Sequence, residues 1–259
     1  MIYFDDLKRS VEVSKPAQRI LSLVPSITEL LFDLGLEKRL VGRTNYCIHP
    51  KDKIGIDSVG GTKDFDLEKI RQLKPDLIFA VKEENNKELV LEIAKEFPVL
   101  IYDIVDLPSA IRVIKHIGLV TSLEDEAFNL VNKIQEQIYF LQKKNIVKKE
   151  ACYLIWNKPM MSVGSETFIS DMMNVAGFTN VIRTRKESYP TIEQQDIESL
   201  QPEYVFLSSE PFKFTEKHQQ EYQERFPNSK VILVDGEMFS WYGSRMLKAF
   251  DYFRNLQEN

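Results

Sequence analysis

The chain has 259 residues, of which 43% are hydrophobic and 28% are charged, which excludes a disordered chain and suits one large domain or two lobes. Its formal net charge of -5 gives no electrostatic footprint for nucleic acid or for an anionic membrane. No segment has the roughly 20 apolar residues of a membrane helix, and Asp5, Lys8 and Glu12 interrupt any secretory signal near the start. As written, the sequence predicts a cytoplasmic chain without membrane insertion, or a periplasmic or cell-surface protein if this is a trimmed mature form.

The first part of the chain alternates strands and helices. The apolar run "RILSLVPS" predicts a buried strand, and "SITELLFDLGL" predicts a helix that begins with a capping box of Ser26 and Glu29 and ends at Gly35. A strand fragment "LVG" leads into the loop "RTNYCIHP". The segments "DLEKIRQLKPDLIFA" and "KELVLEIAKEFPVLIYDI" each predict a helix followed by a strand. This alternation predicts a parallel sheet with helices on both faces.

The middle of the chain predicts one long helix. No proline or glycine interrupts the segment from Leu123 to Lys144, its apolar residues recur at helical spacing, and Thr121 with Glu124 forms a second capping box. A packing helix or a coiled coil would show the same periodicity. Because the segment separates two stretches that each alternate strand and helix, it predicts a connection between two lobes, with an N-terminal lobe at 1–120, a connecting helix at 121–146 and a C-terminal lobe at 147–259.

The last part of the chain repeats the first. The strand "ACYLIW" is followed by a helix near "SETFISDMMNVAG", and "DIESLQPEYVFLS" has the same order of residue types as "DLEKIRQLKPDLIFA". The predicted fold class is therefore α/β, with two doubly wound lobes, each around a central parallel sheet, joined by one long helix. Two such lobes would leave a ligand cleft between them, because ligands favour inter-domain crevices and the carboxyl ends of parallel strands.

Motifs for catalysis and metal binding are scarce. There is no phosphate-binding glycine loop, no nucleophile elbow, and no histidine pair at the spacing of a metal site. Cys47 and Cys152 form no C-x-x-C pair, so zinc is not expected, although one disulfide between them stays open. His116 and His218 are expected in packing or solvated roles, whereas His49 lies in a loop and is either a turn residue or a site residue. This scarcity favours a binding protein over an enzyme.

The stretch "EMFSWYGSRM" places three aromatic residues in a polar run before the last helix. Large aromatic side chains in a loop need burial or a ligand. The stretch is therefore either a plug in the core or the wall of a site.

The order and spacing of "RILSLVPSITELLFDLGLEKRLVGRTNYCIHP", "DLEKIRQLKPDLIFA", the single middle helix and "VGSETFISDMMNVAGFTNVI" resemble the substrate-binding proteins of iron-siderophore, haem and cobalamin ABC importers. The resemblance runs from about Tyr3 to Leu256 and is strongest to the cobalamin-binding group of these helical-backbone metal receptors. It implies a monomeric transport protein that is not an enzyme, has no cofactor of its own, and delivers a cobalt corrinoid or an iron chelate to an ABC permease dimer. The ligand is expected in a shallow cleft between two lobes, held by aromatic side chains.

Candidate site residues follow from this resemblance one position at a time. The ligand-binding positions that it implies are Pro25, Ser26, Tyr46, His49, Tyr189, Phe239, Trp241, Tyr242 and Arg245. The resemblance thus favours a site wall at "MFSWYGSR", where Arg245 would meet an acidic group of the ligand. The family docks on its permease through one exposed Glu in each lobe, which implies Glu68 and, at the second position, Gln195, with Glu193 and Glu198 nearby.

Two departures leave alternatives open. Thr62 stands where cobalamin-binding members carry Trp, and Gln195 stands where the second docking Glu is expected. One alternative is a cytoplasmic relative that binds a corrinoid or metal chelate without feeding an importer. Another is a cofactor-processing enzyme that uses His49 or Cys47, and a third is an interaction protein with a vestigial cleft, whose aromatic residues pack inward.

Overall fold

The computed structural model describes residues 1–13, 16–51, 55–143, 147–185 and 187–258. The chain divides into two compact units. Unit 1 comprises residues 1–104, 108–133 and 242–245, and unit 2 comprises residues 105–107, 134–241 and 246–259. The division falls inside the long middle helix, so that helix contributes residues to both units.

The described residues form helices and strands that alternate along most of the chain. The helices are α1 Pro25–Asp33, α2 Leu67–Leu73, α3 Lys87–Ile93, α4 Leu107–Thr121, α5 Glu124–Lys143, α6 Phe168–Val175, α7 Gln194–Leu200, α8 Glu216–Arg225, α9 Glu237–Ser240 and α10 Arg245–Glu258, with a 3-10 turn at Glu37–Arg39. The strands are β1 Ile2–Phe4, β2 Ser10–Glu12, β3 Ile20–Ser22, β4 Leu40–Arg43, β5 Leu77–Val81, β6 Val99–Tyr102, β7 Lys149–Trp156, β8 Met161–Ser162, β9 Phe178–Asn180, β10 Tyr204–Ser208 and β11 Lys230–Val234.

Unit 1 is built on a four-stranded parallel sheet in the order β4-β3-β5-β6. The residues of β3, β5 and β6 are buried throughout, as expected for parallel strands that are covered on both faces. A separate antiparallel hairpin of β1 and β2 precedes this sheet. The predicted parallel sheet in the first part of the chain is confirmed.

Unit 2 is built on a mixed sheet in the order β11-β10-β7-β8, with β9 also paired to β7. The pairs of β10 with β11, of β10 with β7 and of β7 with β9 are parallel, whereas β8 returns antiparallel to β7. Aromatic residues fill much of its interior, and Phe178 and Phe206 meet edge to face at 4.7 Å between ring centres. The predicted α/β class with parallel sheets therefore holds for both units.

The sequence echo between the two halves corresponds to a repeated structure. Helices α2 and α7 each have seven residues, and each ends at a non-glycine residue in the left-handed conformation, at Lys74 and Gln201. A proline and an acid follow in both cases. The carboxylate of Asp76 accepts hydrogen bonds from the backbone just before β3, and that of Glu203 accepts one from the start of β7. Asp76 and Glu203 thus fix the starts of two equivalent strands, β3 and β7.

Two local predictions are corrected. Helix α1 begins at Pro25 after Val24, without a side-chain cap, so Ser26 and Glu29 do not form a capping box. The long helix predicted from Leu123 to Lys144 corresponds to α5, and a separate helix that was not predicted, α4, ends before it at Thr121. The hydroxyl of Thr121 is buried and donates to the carbonyl of Ile117 in its own helix, rather than capping α5. Residues 144–146 of the predicted connecting helix lie outside the described residues.

Within the part of the chain that the structure describes, no helix combines the length and the apolar character needed to cross a membrane.

Candidate functional site

The strands of the sheet in unit 1 end next to several of the candidate residues. Strand β3 leads into Pro25 and Ser26 in the first turn of α1, β4 leads into the turn that carries Tyr46, and β5 leads into Glu84. Side chains that follow parallel strands meet at one edge of the sheet, where α/β proteins bind ligands. This edge is the part of unit 1 in which we place its candidate residues.

Asn85 holds the loops of this edge together. Its side-chain oxygen accepts a hydrogen bond from the backbone of Val81 at 2.8 Å. Its amide group donates to the carbonyl oxygens of Leu23 at 3.0 Å and Thr62 at 3.1 Å. Because a buried amide with three such partners is strongly fixed, the loops after β3 and β5 and the loop of Thr62 form one rigid support.

Tyr46 is the exposed aromatic residue of this edge. Its side chain is 61% exposed, which is unusual for a large ring in a folded unit. One edge of the ring approaches Gly61, where an added Cβ would lie 3.4 Å from Tyr46 Cε2. The other predicted residue of this turn, His49, is half-buried three positions later. Tyr46 therefore presents an exposed aromatic surface beside the loop of Thr62 and stays a candidate ligand contact.

Cys47, one of the two candidate groups for catalysis, is buried. Its thiol sulfur lies 3.0 Å from the hydroxyl of Thr28 and 3.2 Å from that of Thr44. Burial raises the pKa of this thiol, and the hydrogen bonds from Thr28 and Thr44 offset only part of that effect. Since the reactive form of cysteine is the thiolate, this environment suits a structural residue and not a nucleophile. Cys47 and Cys152 are both free thiols, so the disulfide left open by the sequence does not form.

Arg245 is paired inside unit 1. Its guanidinium donates to both carboxylate oxygens of Glu29, at 2.7 Å from Nε and 2.9 Å from Nη2, and both side chains are almost fully buried. This bidentate geometry uses the fork of the guanidinium fully. In this structure the acidic partner of Arg245 is Glu29 of α1, and a contact between Arg245 and an acidic group of a ligand stays a prediction.

Tyr242 also belongs to unit 1 and contacts other residues of that unit. Its hydroxyl donates to the carboxylate of Glu84 at 2.6 Å, and burial raises the pKa of this phenol well above its ordinary value. The next residue, Gly243, has φ +82°, and an added Cβ would lie 3.2 Å from Leu30 Cβ. A left-handed glycine in close approach to α1 lets the chain place Tyr242 and Arg245 on the same unit.

In unit 2, Phe239 and Trp241 follow β11, and their side chains have different surroundings. The indole Nε1 of Trp241 donates to the carboxylate of Glu210 at 3.1 Å, and the hydroxyl of Ser240 donates to the same oxygen at 2.5 Å. Phe239 is 0% exposed and packs against Tyr153, Phe206 and Phe253. Phe239 thus lies in the core of unit 2, and the rings of Trp241 and Tyr242 are mostly buried. The role of these three residues in a ligand site stays a prediction.

Trp156 is an exposed aromatic residue that the sequence analysis did not single out. It ends β7 with 38% of its surface exposed, and its ring meets Phe212 edge to face at 5.6 Å between centres. Its Nε1 donates to the carbonyl oxygen of Lys158, which fixes the ring. The signal that points to it is a tryptophan as the last residue of an otherwise apolar strand, because the carboxyl ends of parallel strands favour ligands.

Tyr189 is half-buried in a segment that runs beside β8. The carbonyl oxygen of Ser188 accepts from the backbone of Gly164 at 2.8 Å. An added Cβ at Gly164 would lie 2.1 Å from the carbonyl oxygen of Glu187, so only glycine permits this approach. Tyr189 is therefore held in place by backbone contacts and stays a candidate ligand contact.

The carboxyl group of Glu210, which follows β10, has a raised pKa. Burial is the largest cause, and it raises the pKa of Glu210, while the hydrogen bond from Ser240 acts in the opposite direction. The charge of Glu237 raises the pKa further. The carboxylate at this edge is thus partly desolvated and carries two hydrogen-bond donors from α9 and its end.

The contribution of Glu210 to the stability of the folded state should fall as pH rises. Because the folded state raises the pKa of this group above its ordinary value of 4.5, its favourable contribution is complete below that pH and is lost as pH rises through the folded pKa. We expect the stability of Glu210→Gln relative to the unchanged protein to increase from about pH 4.5 to pH 8, measured by urea unfolding. Glu224→Gln, at an exposed acid of α8, corrects for the general effect of removing one carboxylate. A relative stability that is constant with pH would contradict this assignment.

Among the residues that the structure describes, no group of three or more His, Cys, Asp or Glu side chains is arranged to hold a metal ion.

The chain matches the model of a family described as "Periplasmic binding protein" over residues 20–230, which is most of its length. The chain belongs to the periplasmic binding protein family. A curated relative, the vitamin B12-binding protein of Pectobacterium carotovorum, is 22% identical over 240 residues, covering 90% of this chain and 85% of the relative. The uncharacterized ABC transporter substrate-binding lipoprotein YvrC of Bacillus subtilis is 28% identical over 181 residues, covering 66% of this chain and 57% of the relative.

The fold also matches solved structures of binding proteins. The periplasmic haem-binding protein HutB of Vibrio cholerae superposes with a TM-score of 0.80 at 19% identity, covering 93% of this chain and 99% of that protein. A likeness at this identity shows that the fold is shared. The predicted resemblance to the binding proteins of metal-chelate importers is confirmed.

The expected docking residues of this periplasmic binding protein occupy equivalent positions in the repeat. Glu68 and Gln195 are each the second residue of their helix, α2 and α7, and both are exposed. Glu68 forms an ion pair with Arg71, whose guanidinium also binds Glu96. Glu193 is the N-cap of α7, and Glu198 accepts a hydrogen bond from the side chain of Gln194. Both neighbouring acids therefore form contacts within α7. Gln195 is therefore the structural counterpart of Glu68.

Proposed function

We propose that this chain is the ligand-binding component of an ABC-type uptake system for a metal chelate, with a cobalt corrinoid as the favoured ligand. The observation that carries the proposal is the presence of an exposed aromatic side chain at the carboxyl edge of the sheet in each unit, Tyr46 in unit 1 and Trp156 in unit 2. Flat side chains with few rotatable bonds bind the face of a large rigid ligand at a low cost in entropy.

The relatives support the ligand class. One is named for binding vitamin B12, one for binding haem, and a third for serving as the substrate-binding lipoprotein of an ABC transporter. All three names describe binding or transport and none describes catalysis. The buried thiol of Cys47 agrees with them, since it removes one of the two groups that a cofactor-processing enzyme would use.

The charges at the two edges favour a corrinoid over haem. Glu84 follows β5 and Glu210 follows β10, while the guanidinium of Arg245 is neutralised by Glu29. Carboxylates accept hydrogen bonds from the amide groups on the rim of a corrinoid, whereas they repel the propionate groups of haem. Glu84 and Glu210 are therefore proposed to select an amide-rich ligand.

The first test is a titration of the purified protein with aquocobalamin, followed by absorbance and calorimetry, with haemin and a ferric siderophore as comparators. We expect saturable one-to-one binding of aquocobalamin, weakened about tenfold, or about 1.4 kcal/mol, by Tyr46→Ala and by Trp156→Ala. Tyr139→Ala is the matched control, because Tyr139 on α5 is 60% exposed and Tyr46 is 61% exposed. Binding of a comparator alone would replace the corrinoid, and binding of none would overturn the transport function.

The permease is proposed to dock on the exposed starts of α2 and α7, with Glu68 supplying a charge and Gln195 a neutral polar group. We expect Glu68→Ala to reduce the stimulation of permease ATPase activity by the liganded protein at least about tenfold, because an interfacial charge pair would be lost. Glu92→Ala is the control, since Glu92 also forms an ion pair with a basic residue of its own helical turn. An equal effect of both variants would argue against docking through α2.

A further inference from the structure

The exposed side of α2 carries a network of three charged side chains, all of them in unit 1. The guanidinium of Arg71 donates to Glu96, which follows α3, from Nε at 2.9 Å and from Nη2 at 2.6 Å. Its third nitrogen, Nη1, donates to the carboxylate of Glu68 in the same helix. One arginine is therefore shared between two acids, and these three residues are called the Arg71 network.

The two acids hold Arg71 unequally. Glu96 binds two nitrogens of the guanidinium in bidentate geometry, whereas Glu68 binds one. The same order holds for the pKa of Arg71, which is raised first by the hydrogen bonds to Glu96 and second by the hydrogen bond to Glu68. The side chain of Glu68 is 74% exposed and that of Glu96 is 39% exposed. Glu68 is therefore the acid that Arg71 releases more easily and that an outside group reaches more easily.

The Arg71 network is not needed to form a helix at this place in the repeat. Helix α7 has the same length and the same left-handed end as α2, yet Gln195 and Glu198 stand at the positions of Glu68 and Arg71. The first turn of α2 is capped by the side chain of Asp66. Since an exposed ion pair within one helical turn adds little to stability, the Arg71 network calls for another explanation.

We propose that Arg71 is a positioning residue that occupies Glu68 in the free protein, and that Glu96 retains Arg71 when the guanidinium of a partner binds Glu68. The proposal rests on the docking through Glu68 proposed above. An arriving arginine has to replace Nη1 of Arg71 and is repelled by its positive charge. Glu96 lowers both costs, because it keeps a bidentate partner for Arg71 and neutralises its charge.

Substitutions at Arg71 and Glu96 should therefore have opposite effects on the affinity of Glu68 for a guanidinium. Arg71→Gln frees Glu68 and should tighten binding about threefold, the scale of an exposed ion pair. Glu96→Gln leaves the charge of Arg71 beside Glu68 and should weaken binding about threefold.

The double variant Arg71→Gln/Glu96→Gln separates this network from a general attraction of a cation to an acidic surface. General attraction also predicts tighter binding in the first single variant and weaker binding in the second, and the two changes cancel in the double variant. If Glu96 acts through Arg71, the double variant instead keeps the gain of Arg71→Gln, about threefold.

The experiment titrates the full chain, labelled with ¹³C at the side-chain carboxyl of glutamate, with N-acetyl-arginine amide and follows the carboxyl signal of Glu68 by NMR. Glu68→Gln assigns the signal, and circular dichroism checks that each variant is folded. Lys95→Gln is the matched control, because it removes the cation of an exposed ion pair with Glu92 at the same spacing, and it should leave the affinity unchanged. A double variant that binds as the unchanged protein does, or a Glu68 signal that no variant shifts, would overturn the proposal.

This titration needs neither the transported ligand nor the permease, so its outcome is separate from that of the proposed function. With the permease, the concentration of liganded protein that gives half of the ATPase stimulation should fall about threefold in Arg71→Gln and rise about threefold in Glu96→Gln. The predicted pattern in the titration without any effect of Glu68→Ala on the ATPase would keep the role of Arg71 and overturn docking through α2. The predicted ATPase effect of Glu68→Ala with no effect of Arg71→Gln in either assay would keep the docking and overturn the role of Arg71.

Discussion

Arg245→Met is expected to lower the free energy of unfolding by about 3–5 kcal/mol, because it leaves the buried carboxylate of Glu29 without its guanidinium partner. The cost comes from desolvation of the remaining charge rather than from the loss of one contact. Urea unfolding followed by circular dichroism measures the change in the midpoint and gives the free energy.

Two further variants separate this effect from a general effect of removing a cation. Arg245→Met/Glu29→Leu should recover most of the lost stability, since a buried ion pair can be replaced by apolar groups of similar volume at little net cost. Arg112→Met removes an arginine whose ion pair with Asp6 is half-exposed, and it should cost about 1 kcal/mol or less. A loss below about 1 kcal/mol in Arg245→Met would show that the pair is not intact in solution.

The same variant decides between two roles for Arg245. If the guanidinium serves the interior of unit 1, the double variant keeps its affinity for the ligand once stability is restored. If Arg245 meets an acidic group of the ligand, the double variant folds but loses affinity. The observed bidentate pair leads us to expect unchanged affinity.

The pair also shows why one local prediction from the sequence failed. Ser26 and Glu29 have the spacing of a capping box, and nothing within the neighbouring residues distinguishes that pattern from another use of Glu29. The decisive partner, Arg245, lies 216 positions away along the chain. Contacts at such separation depend on the whole fold, so a local motif cannot report them.

Periodic features were more predictable than single residues. The internal echo correctly paired α2 with α7. In both halves an apolar helix ends at a residue in the left-handed conformation, and a proline and an acid then lead into the next strand. The parallel sheets followed from the alternation of elements. By contrast, α4 was missed as a separate helix, although its apolar face buries Ala110, Val113 and Ile117.

The aromatic residues give the clearest example of this limit. Phe239 and Trp156 both adjoin the carboxyl end of a strand in unit 2, yet one is fully buried and the other is exposed. The sequence left open whether the stretch with Phe239 is a core plug or the wall of a site, and it did not single out Trp156. Exposure is set by what packs against each ring, which in the case of Phe239 includes Tyr153, Phe206 and Phe253 from three other elements.

Phe239→Ala is therefore expected to lower the free energy of unfolding by about 3–5 kcal/mol, because a fully buried ring is removed from a close-packed aromatic cluster. The ring centre of Phe239 lies 4.8 Å from that of Phe253 and 5.2 Å from that of Tyr153, so the surrounding rings cannot all close the cavity. Urea unfolding at neutral pH measures this loss. Phe239→Leu should lose less, since it keeps most of the apolar volume.

Phe212→Ala is the matched control in the same unit. Phe212 is half-buried and packs beside the exposed ring of Trp156, so its loss should cost less stability than that of Phe239 but should disturb the orientation of Trp156. Under conditions in which each variant is folded, we expect Phe239→Leu to bind aquocobalamin as the unchanged protein does and Phe212→Ala to bind it more weakly. The reverse result would show that Phe239 becomes exposed in the binding-competent state, and the site wall would then lie at α9 rather than at the end of β7.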